Sequence, residues 1–308
     1  MTHRHSFAIM AYKDAPFLEE AVASVLVGAA DSDVYLTTST PSERISGIAA
    51  AHGLPLFVNT GKAGIVGDWQ FALAQAKTPY VTLVDQDDRY DPHFAELVLK
   101  AFDRFPDSQI VFTNYVEIDA SGAVRPANRT LRVKRVLLAP FAVKMSLASR
   151  FGRRLILRFG NPICSPSVTY NLPQLGTHEL FDPEYAMSLD WEAWLSMADA
   201  AGRFTYIRRP LEQHRIHGAT QTSTGLRDGR RYAEDVKLYG RLWPAPVARF
   251  LADRYAASYG TNDGQTAVGV EAAQLDEAVR ATTELRFEAL TRLEDAQHLL
   301  SLLSANGI

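Results

Sequence analysis

Three carboxylates crowd into four positions at Asp85-Gln86-Asp87-Asp88, directly behind the apolar run Val81-Thr82-Leu83-Val84 and ahead of Arg89 and Tyr90. Like charges this close raise one another's proton affinity and cost free energy unless a cation sits among them. A divalent metal is the simplest physical reason for such a cluster, and hard oxygen ligands suit magnesium or manganese. Alternation along a strand lets Asp85 and Asp87 face one way, at the strand end that opens into the ligand crevice of α/β sheets. The competing reading is an acidic strand-to-helix turn, in which Asp88 or a neighbour caps a helix beginning near Asp91-Pro92.

Two further stretches hold reactive side chains. His214, Arg215 and His217 fall within four positions, ahead of Gly218 and the hydroxyls of Thr220, Thr222 and Ser223, a grouping that suggests phosphate or metal contact. Asp190 opens a predicted helix from Leu189 to Ala200 that carries Trp191, Trp194, Leu195 and Ala198. A carboxylate there is favoured by the helix macrodipole, so a cap is its plain structural reading.

The elements that must position these groups alternate between strand and helix. Phe7 to Ala11, Val34 to Thr37 and Pro55 to Asn59 have the composition of short buried strands, with the Asp85 run as the fourth. Helices are predicted over Asp14 to Leu26, Glu43 to His52, Asp68 to Ala76 and from Asp91 to about Phe105. This alternation implies an α/β fold, a parallel sheet with helices on its faces. Gly61, Gly64 and Gly67 punctuate a loop and match neither a dinucleotide nor a Walker fingerprint. Gln109 to Ile118 is the next predicted strand, Asp119-Ala120-Ser121-Gly122 a turn, and Phe204 to Ile207 a later strand.

Bulk properties are those of a soluble globular chain: 308 residues, 47% hydrophobic, 22% charged, formal charge −3. The polar start from Met1 to His5 lacks the apolar run of a signal peptide, and no stretch approaches the roughly 20 apolar residues of a membrane span. The single cysteine, Cys164, excludes an internal disulfide and suits a reducing cytoplasm. With no adjacent base in the sequence, it reads as a packed thiol.

Between Ala120 and His178 the chain has no Asp or Glu. It carries Arg125, Arg129, Arg132, Lys134, Arg135, Lys144, Arg150, Arg153, Arg154 and Arg158. Such a field attracts phosphate, anionic lipid headgroups or an anionic acceptor, unless these cations pair with acids elsewhere. No nucleic-acid-binding module accompanies the charge, so nucleic acid is not an expected partner. From Asp228 the chain reads as helical to about Tyr259. Val270 to Leu303 then carries an amphipathic pattern suited to packing on the main domain or on a second subunit, a possible homodimer contact.

Taken in order, these pieces resemble a family 2 inverting glycosyltransferase with the GT-A fold, a Rossmann-like nucleotide-diphospho-sugar transferase. The matching order covers about residues 6–224. Ile9 to Asp14 looks like the opening strand and tyrosine-bearing loop that receives the nucleotide, with Lys13 where the family often has Asn. Thr37 to Ser42 stands at the base-recognition loop, and Gly67 to Leu73 at a short helix that usually bears Arg-Asn. Asp85-Gln86-Asp87-Asp88 is similar to the metal-binding DxD motif. Asp190 to Leu195 looks like the helix led by the catalytic base, with Leu189 replacing the common preceding Glu. Arg215-Ile216-His217-Gly218 resembles the segment that closes over the diphosphate.

The resemblance implies a catalytic domain over 1–224, its nucleotide-sugar-binding part at about 1–118 and its acceptor-side part at about 119–224, with a helical extension over 225–308. Asp190 would be the catalytic base, and Asp85, Asp87 and His217 the ligands of a divalent metal, Mn2+ or Mg2+. Ala11, Tyr12, Thr38, Ser39, Asp68, Asp85, Gln86, Asp87, Arg215 and His217 would bind the nucleotide sugar. Trp191, with Tyr12, is a candidate sugar or acceptor platform, or else a core residue. The implied donor is a nucleoside-diphosphate sugar, UDP- or dTDP-linked, and the acceptor a glycan or lipid-linked hydroxyl. Polysaccharide synthesis in the cytoplasm, peripheral to the inner face of the membrane, is the expected setting.

Three rivals share parts of this pattern. A strand ending in Asp-x-Asp also serves haloacid-dehalogenase-type phosphatases, but those place Thr or Val where Arg89 stands. Sugar-nucleotide pyrophosphorylases need a glycine-rich basic loop, which is missing after Met10. A non-catalytic sugar-nucleotide-binding protein would keep the fold and tolerate loss of Asp190, which is present.

Overall fold

The computed structural model describes residues 3–61, 64–176, 179–217 and 229–257. These all belong to one compact unit, Met1–Asp263. The expected hydroxyl loop after His217 and the amphipathic stretch from Val270 to Leu303, with its proposed dimer contact, lie outside the described residues. No helix among the described residues is long and apolar enough to cross a membrane.

A nine-stranded sheet forms the centre, with strand order β3-β2-β1-β4-β8-β6-β9-β5 and β7 paired to β9. Its first half is the expected parallel α/β layer. β1 (His5–Ala11) pairs in parallel with β2 (Ser32–Thr38) and β4 (Tyr80–Asp85), and β2 pairs with β3 (Leu56–Val58). Helices α1 (Leu18–Val27), α2 (Glu43–Ala51) and α3 (Ile65–Ala74) make the crossovers. All four strands therefore point their carboxyl ends to one edge, where Ala11, Thr38 and Asp85 emerge.

The second half departs from a simple parallel sheet. After β5 (Arg89–Tyr90) and α4 (Phe94–Arg104), β6 (Ser108–Ile118) does not join β4 directly. β8 (Val168–Asn171) lies between them, antiparallel to both. Only four residues long and followed directly by Leu172 and Pro173, this strand gives too short a run to stand out in the sequence. The strand read as Phe204 to Ile207 extends over Arg203–Arg215 as β9, pairing in parallel along β6 through register shifts near Asn114. That extension carries Glu212, His214 and Arg215 into the sheet.

Both faces are covered. α1, α2 and α4 bury Val22, Ile45, Phe94 and Val98 on one side. On the other lie α3, α6 (Arg150–Leu157), α8 (Leu189–Asp199), α9 (Arg230–Gly240) and α10 (Ala245–Ala256), around Trp69, Ile156, Trp191, Trp194 and Tyr239. Along β4, Val81 and Leu83 point to the α8 side and Val84 to the other, so the pleat aims Asp85 toward α8. The short elements α5 (Arg129–Leu137), β7 (Ser146–Leu147) and α7 (Leu172–Leu175) complete the described chain.

Some expected boundaries shift. α1 starts at Leu18 rather than Asp14, whose carboxylate instead accepts a hydrogen bond from the Ser42 hydroxyl. α3 begins at Ile65, which puts Gly67 within the helix and leaves Gly64, at φ +109°, as its cap. His5 is not part of a polar tail. It is fully buried between the Ser32 and Thr82 hydroxyls, and burial pushes its ring down to about 3, keeping it neutral.

Candidate active site

The carboxyl edge of the parallel half gathers the residues expected to meet the nucleotide. The Tyr12 amide donates to Gln86 Oε1 at 2.7 Å, joining the end of β1 to the Asp85 turn. Ser39 Oγ donates to Asp68 Oδ2 at 2.8 Å, and Asn59 Nδ2 donates to Asp68 Oδ1, tying β2, α3 and the residue after β3 together. The Thr40 amide donates to Thr38 Oγ1. Lys13 takes a left-handed φ of 55°, a conformation unusual for a side chain of this size, and its amide donates to Thr40 Oγ1. Tyr12 stays 40% exposed, with the Lys13 ammonium 5.1 Å from its ring centre. Ala11, Tyr12, Thr38, Ser39, Asp68 and Gln86 thus form one connected rim.

At its centre, one oxygen each from Asp85, Asp87 and Asp88 lies within 4.8 Å of the others. Each ionised pair at this spacing repels by about 3–4 kcal/mol at an effective dielectric near 20. Burial, then Asp88 and Asp87, pushes the Asp85 carboxyl well above the ordinary range. Burial and Asp88 raise Asp87 too, against the bond from His217. This all-oxygen donor set fits a hard divalent cation. His217 Nε2 lies 2.8 Å from Asp87 Oδ2, so the expected third ligand stands beside the cluster.

Asp88 is not a helix cap. It is fully buried, its Oδ1 accepts the Arg215 amide at 2.7 Å, and its Oδ2 meets His214 Nδ1 at 3.1 Å. Burial alone would lower His214, yet Asp88 outweighs it and takes the ring up to about 10.

The side chain of Arg215 departs from expectation. It is 1% exposed, and its guanidinium donates to the carbonyls of Asp87, Asp119 and Ala120 and to Glu20, while stacking 4.2 Å from the Phe17 ring centre. Every arm of the fork is engaged by protein. Arg215 therefore holds the Asp87 turn in place and is corrected from a diphosphate contact to a structural tie.

Asp190 sits in the first turn of α8, part-buried on the side that Asp85 faces. Its Oδ2 accepts from Asn161 Nδ2 at 2.6 Å and its Oδ1 from the Trp191 amide at 2.8 Å. Burial raises its carboxyl, and these bonds and the charge of Arg231 pull it back. Trp191 is corrected from platform to core. It is 1% exposed, its indole N–H donates to the Leu157 carbonyl, and its ring meets Tyr239 edge-on.

Sequence reasoning missed the support of this helix. The Glu234 carboxylate accepts the amides of Ala186, Met187 and Ser188 at 3.0, 2.9 and 2.8 Å. Asp235 accepts the Ser188 hydroxyl, and Arg241 donates to Glu192. Burial pushes Asp235 up to about 7 despite Arg231 nearby. Adjacent acids inside an apolar helical pattern were the available signal.

The basic segment divides between cations paired within the fold and cations left at the surface. Arg150 and Arg154 pair with Asp199, Arg153 is buried against Gln109 and the Ala200 carbonyl, and Arg158 stacks on Trp243 at 4.0 Å. Arg129, Arg132, Arg135 and Lys144 remain exposed.

No curated protein matches this chain by sequence. Among solved structures, Staphylococcus aureus TarS 1-349 in complex with UDP-GlcNAc aligns at 13% identity and a TM-score of 0.58, over 88% of this chain and 77% of that one. A mannosyltransferase from Pyrobaculum calidifontis, in complex with GDP-Man and Mn2+, aligns at 15% identity and a TM-score of 0.54, over 92% and 80%. These likenesses show the GT-A fold. The model of glycosyl transferase family 2 matches residues 6–170, more than half of the 308, and the chain belongs to that family.

Proposed function

We propose that this chain transfers a hexosyl group from a nucleoside-diphosphate sugar to an acceptor hydroxyl with inversion, assisted by Mn2+ or Mg2+. The observation that carries the reading is the cluster of Asp85, Asp87 and Asp88 with the part-buried Asp190 carboxylate near enough for its charge to act on Asp85. An inverting displacement needs a base on one face of the sugar and charge neutralisation on the other. Asp190 takes the proton of the attacking hydroxyl. Asn161 and the Trp191 amide fix the orientation of its two oxygens. Asp85 and Asp87, with His217 beside them, would hold the cation, which would supply positive charge for the departing diphosphate. Tyr12, Thr38, Ser39, Asp68 and Gln86 receive the nucleotide, UDP- and dTDP-sugars being the first donors to test.

The test is release of nucleoside diphosphate across a donor panel, with Mn2+ or with chelator, for the native chain and for Asp87→Ala. Metal-dependent release abolished by Asp87→Ala supports the reading; a donor bound but not turned over under any metal favours a binding protein instead.

The acceptor in this reading is a glycan or a lipid-linked hydroxyl in surface polysaccharide assembly at the cytoplasmic face of a membrane. Exposed Arg129, Arg132 and Arg135 on α5, beside exposed Val133 and Val136, support peripheral contact with anionic lipid. Flotation with anionic liposomes should weaken when these three arginines are reversed in charge. Binding that survives the reversal unchanged removes the membrane element.

A further inference from the structure

Cys164 has no base beside it in the sequence, but the fold supplies neighbours. Glu212 and His214 sit two apart on β9, and their ligand atoms and the Cys164 sulfur all lie within 4.8 Å of one another. Glu212 is 1% exposed, and neither of its carboxylate oxygens has a hydrogen-bond partner among the described residues. Its nearest charge is His214 Nδ1, 4.0 Å from Oε1, which leaves the buried carboxylate without a hydrogen bond, a costly arrangement that a bound cation relieves. Asp88 Oδ2, 3.1 Å from His214 Nδ1, makes the carboxylate-to-imidazole contact that orients metal-binding histidines.

We propose that Cys164, Glu212 and His214 form a buried site for a zinc-class transition-metal ion, distinct from the hard-ion cluster of Asp85 and Asp87 and linked to it through Asp88. Thiolate, imidazole and carboxylate make a softer donor set than three carboxylates, so the two sites select different ions. Zinc bond lengths of about 2.0–2.3 Å set tetrahedral ligand atoms roughly 3.3–3.8 Å apart. Closing from 4.8 Å is a side-chain adjustment of about 1 Å. On binding, the Cys164 S–H bond and one His214 N–H bond break, both protons leave to solvent, and the thiolate and imidazole lone pairs form the bonds to the metal. The ion then joins the turn before β8 to β9 directly behind Asp88, bracing the base of the donor crevice. This site stands independently of glycosyl transfer.

The experiment is to express the full chain in cobalt-supplemented medium and measure bound cobalt and its sulfur-to-metal charge-transfer absorption. Asp87→Ala should hold close to one ion per chain and the native chain at least one, each with the absorption present. Cys164→Ser should lose the absorption and at least tenfold of the affinity, and Glu212→Gln should also bind more weakly. A native chain without bound cobalt or without the charge-transfer absorption overturns the site, whether or not the cysteine variant folds. So does a cobalt signal lost in Asp87→Ala and kept in Cys164→Ser. Because no donor or turnover is involved, this outcome is read separately from the proposed activity.

Discussion

The Glu234 carboxylate lies 2.8 Å from the amide of Ser188, two residues ahead of Asp190, and also takes the amides of Ala186 and Met187. A buried anion at this point satisfies the amide of Ser188, the residue that caps α8, and the two amides leading into it, and it complements the positive end of the macrodipole. The helix that carries Asp190 is thus anchored by one that follows the core of the catalytic fold. Glu234→Ala should cost about 2–4 kcal/mol of stability, read by chemical denaturation. Its turnover should fall more than its donor affinity, since the donor rim is built elsewhere. Equal losses in both would place Glu234 in the general fold rather than in support of Asp190.

The Asp190 carboxyl is raised above its ordinary value by burial, and only its ionised form accepts a proton. The acid limb of kcat/KM should therefore lie above the usual aspartate value of about 3.9. Between the unfolded and folded values, the native state holds a proton that the unfolded chain has released. This group's contribution to stability is accordingly full below the unfolded value and declines as pH rises through the folded one. Asn161→Ala removes a bond to the ionised form, so its acid limb should move up by about one pH unit. A limb that stays in place or moves down would show that Asn161 does not serve the charge of Asp190.

Arg215→Lys keeps the charge and loses the fork that reaches Asp87, Asp119, Ala120 and Glu20. We expect a loss of about 2–4 kcal/mol in stability, measured by urea unfolding. Unchanged stability with weakened donor binding would return Arg215 to the role of a diphosphate ligand.

Divalent ions should stabilise the free protein. At a hundredfold excess over its dissociation constant, a single bound ion contributes about 2.7 kcal/mol, enough to raise Tm visibly with Mn2+ or Mg2+. Asp87→Ala should abolish this shift. An equal rise in that variant would mean the ion binds away from the Asp85 cluster.

Much of the donor half was legible because its strands are continuous and its crossovers short. The end of β4 is marked by a run of Val and Leu stopping at Asp85, and the periodicity locates Asp190 at the start of α8. β8 was lost because four residues give too little alternation to register as a strand. The roles of Arg215 and Trp191 went astray for another reason: their types suit ligand contact and core packing equally, and only burial separates the two. Cys164 and Glu234 depend on contacts across 48 and 47 residues, to Glu212 and to Met187 by way of β9 and α9, which no local pattern encodes.

The central claim is that Asp190 is the base of a transfer reaction at an independently formed donor site. The most direct measurement is turnover of the Asp190→Asn chain beside its affinity for the same nucleotide sugar in the presence of Mn2+. The account predicts affinity within about threefold of the native chain and turnover lower by about 10²–10⁴-fold. Turnover within tenfold of native, with donor binding intact, would contradict it.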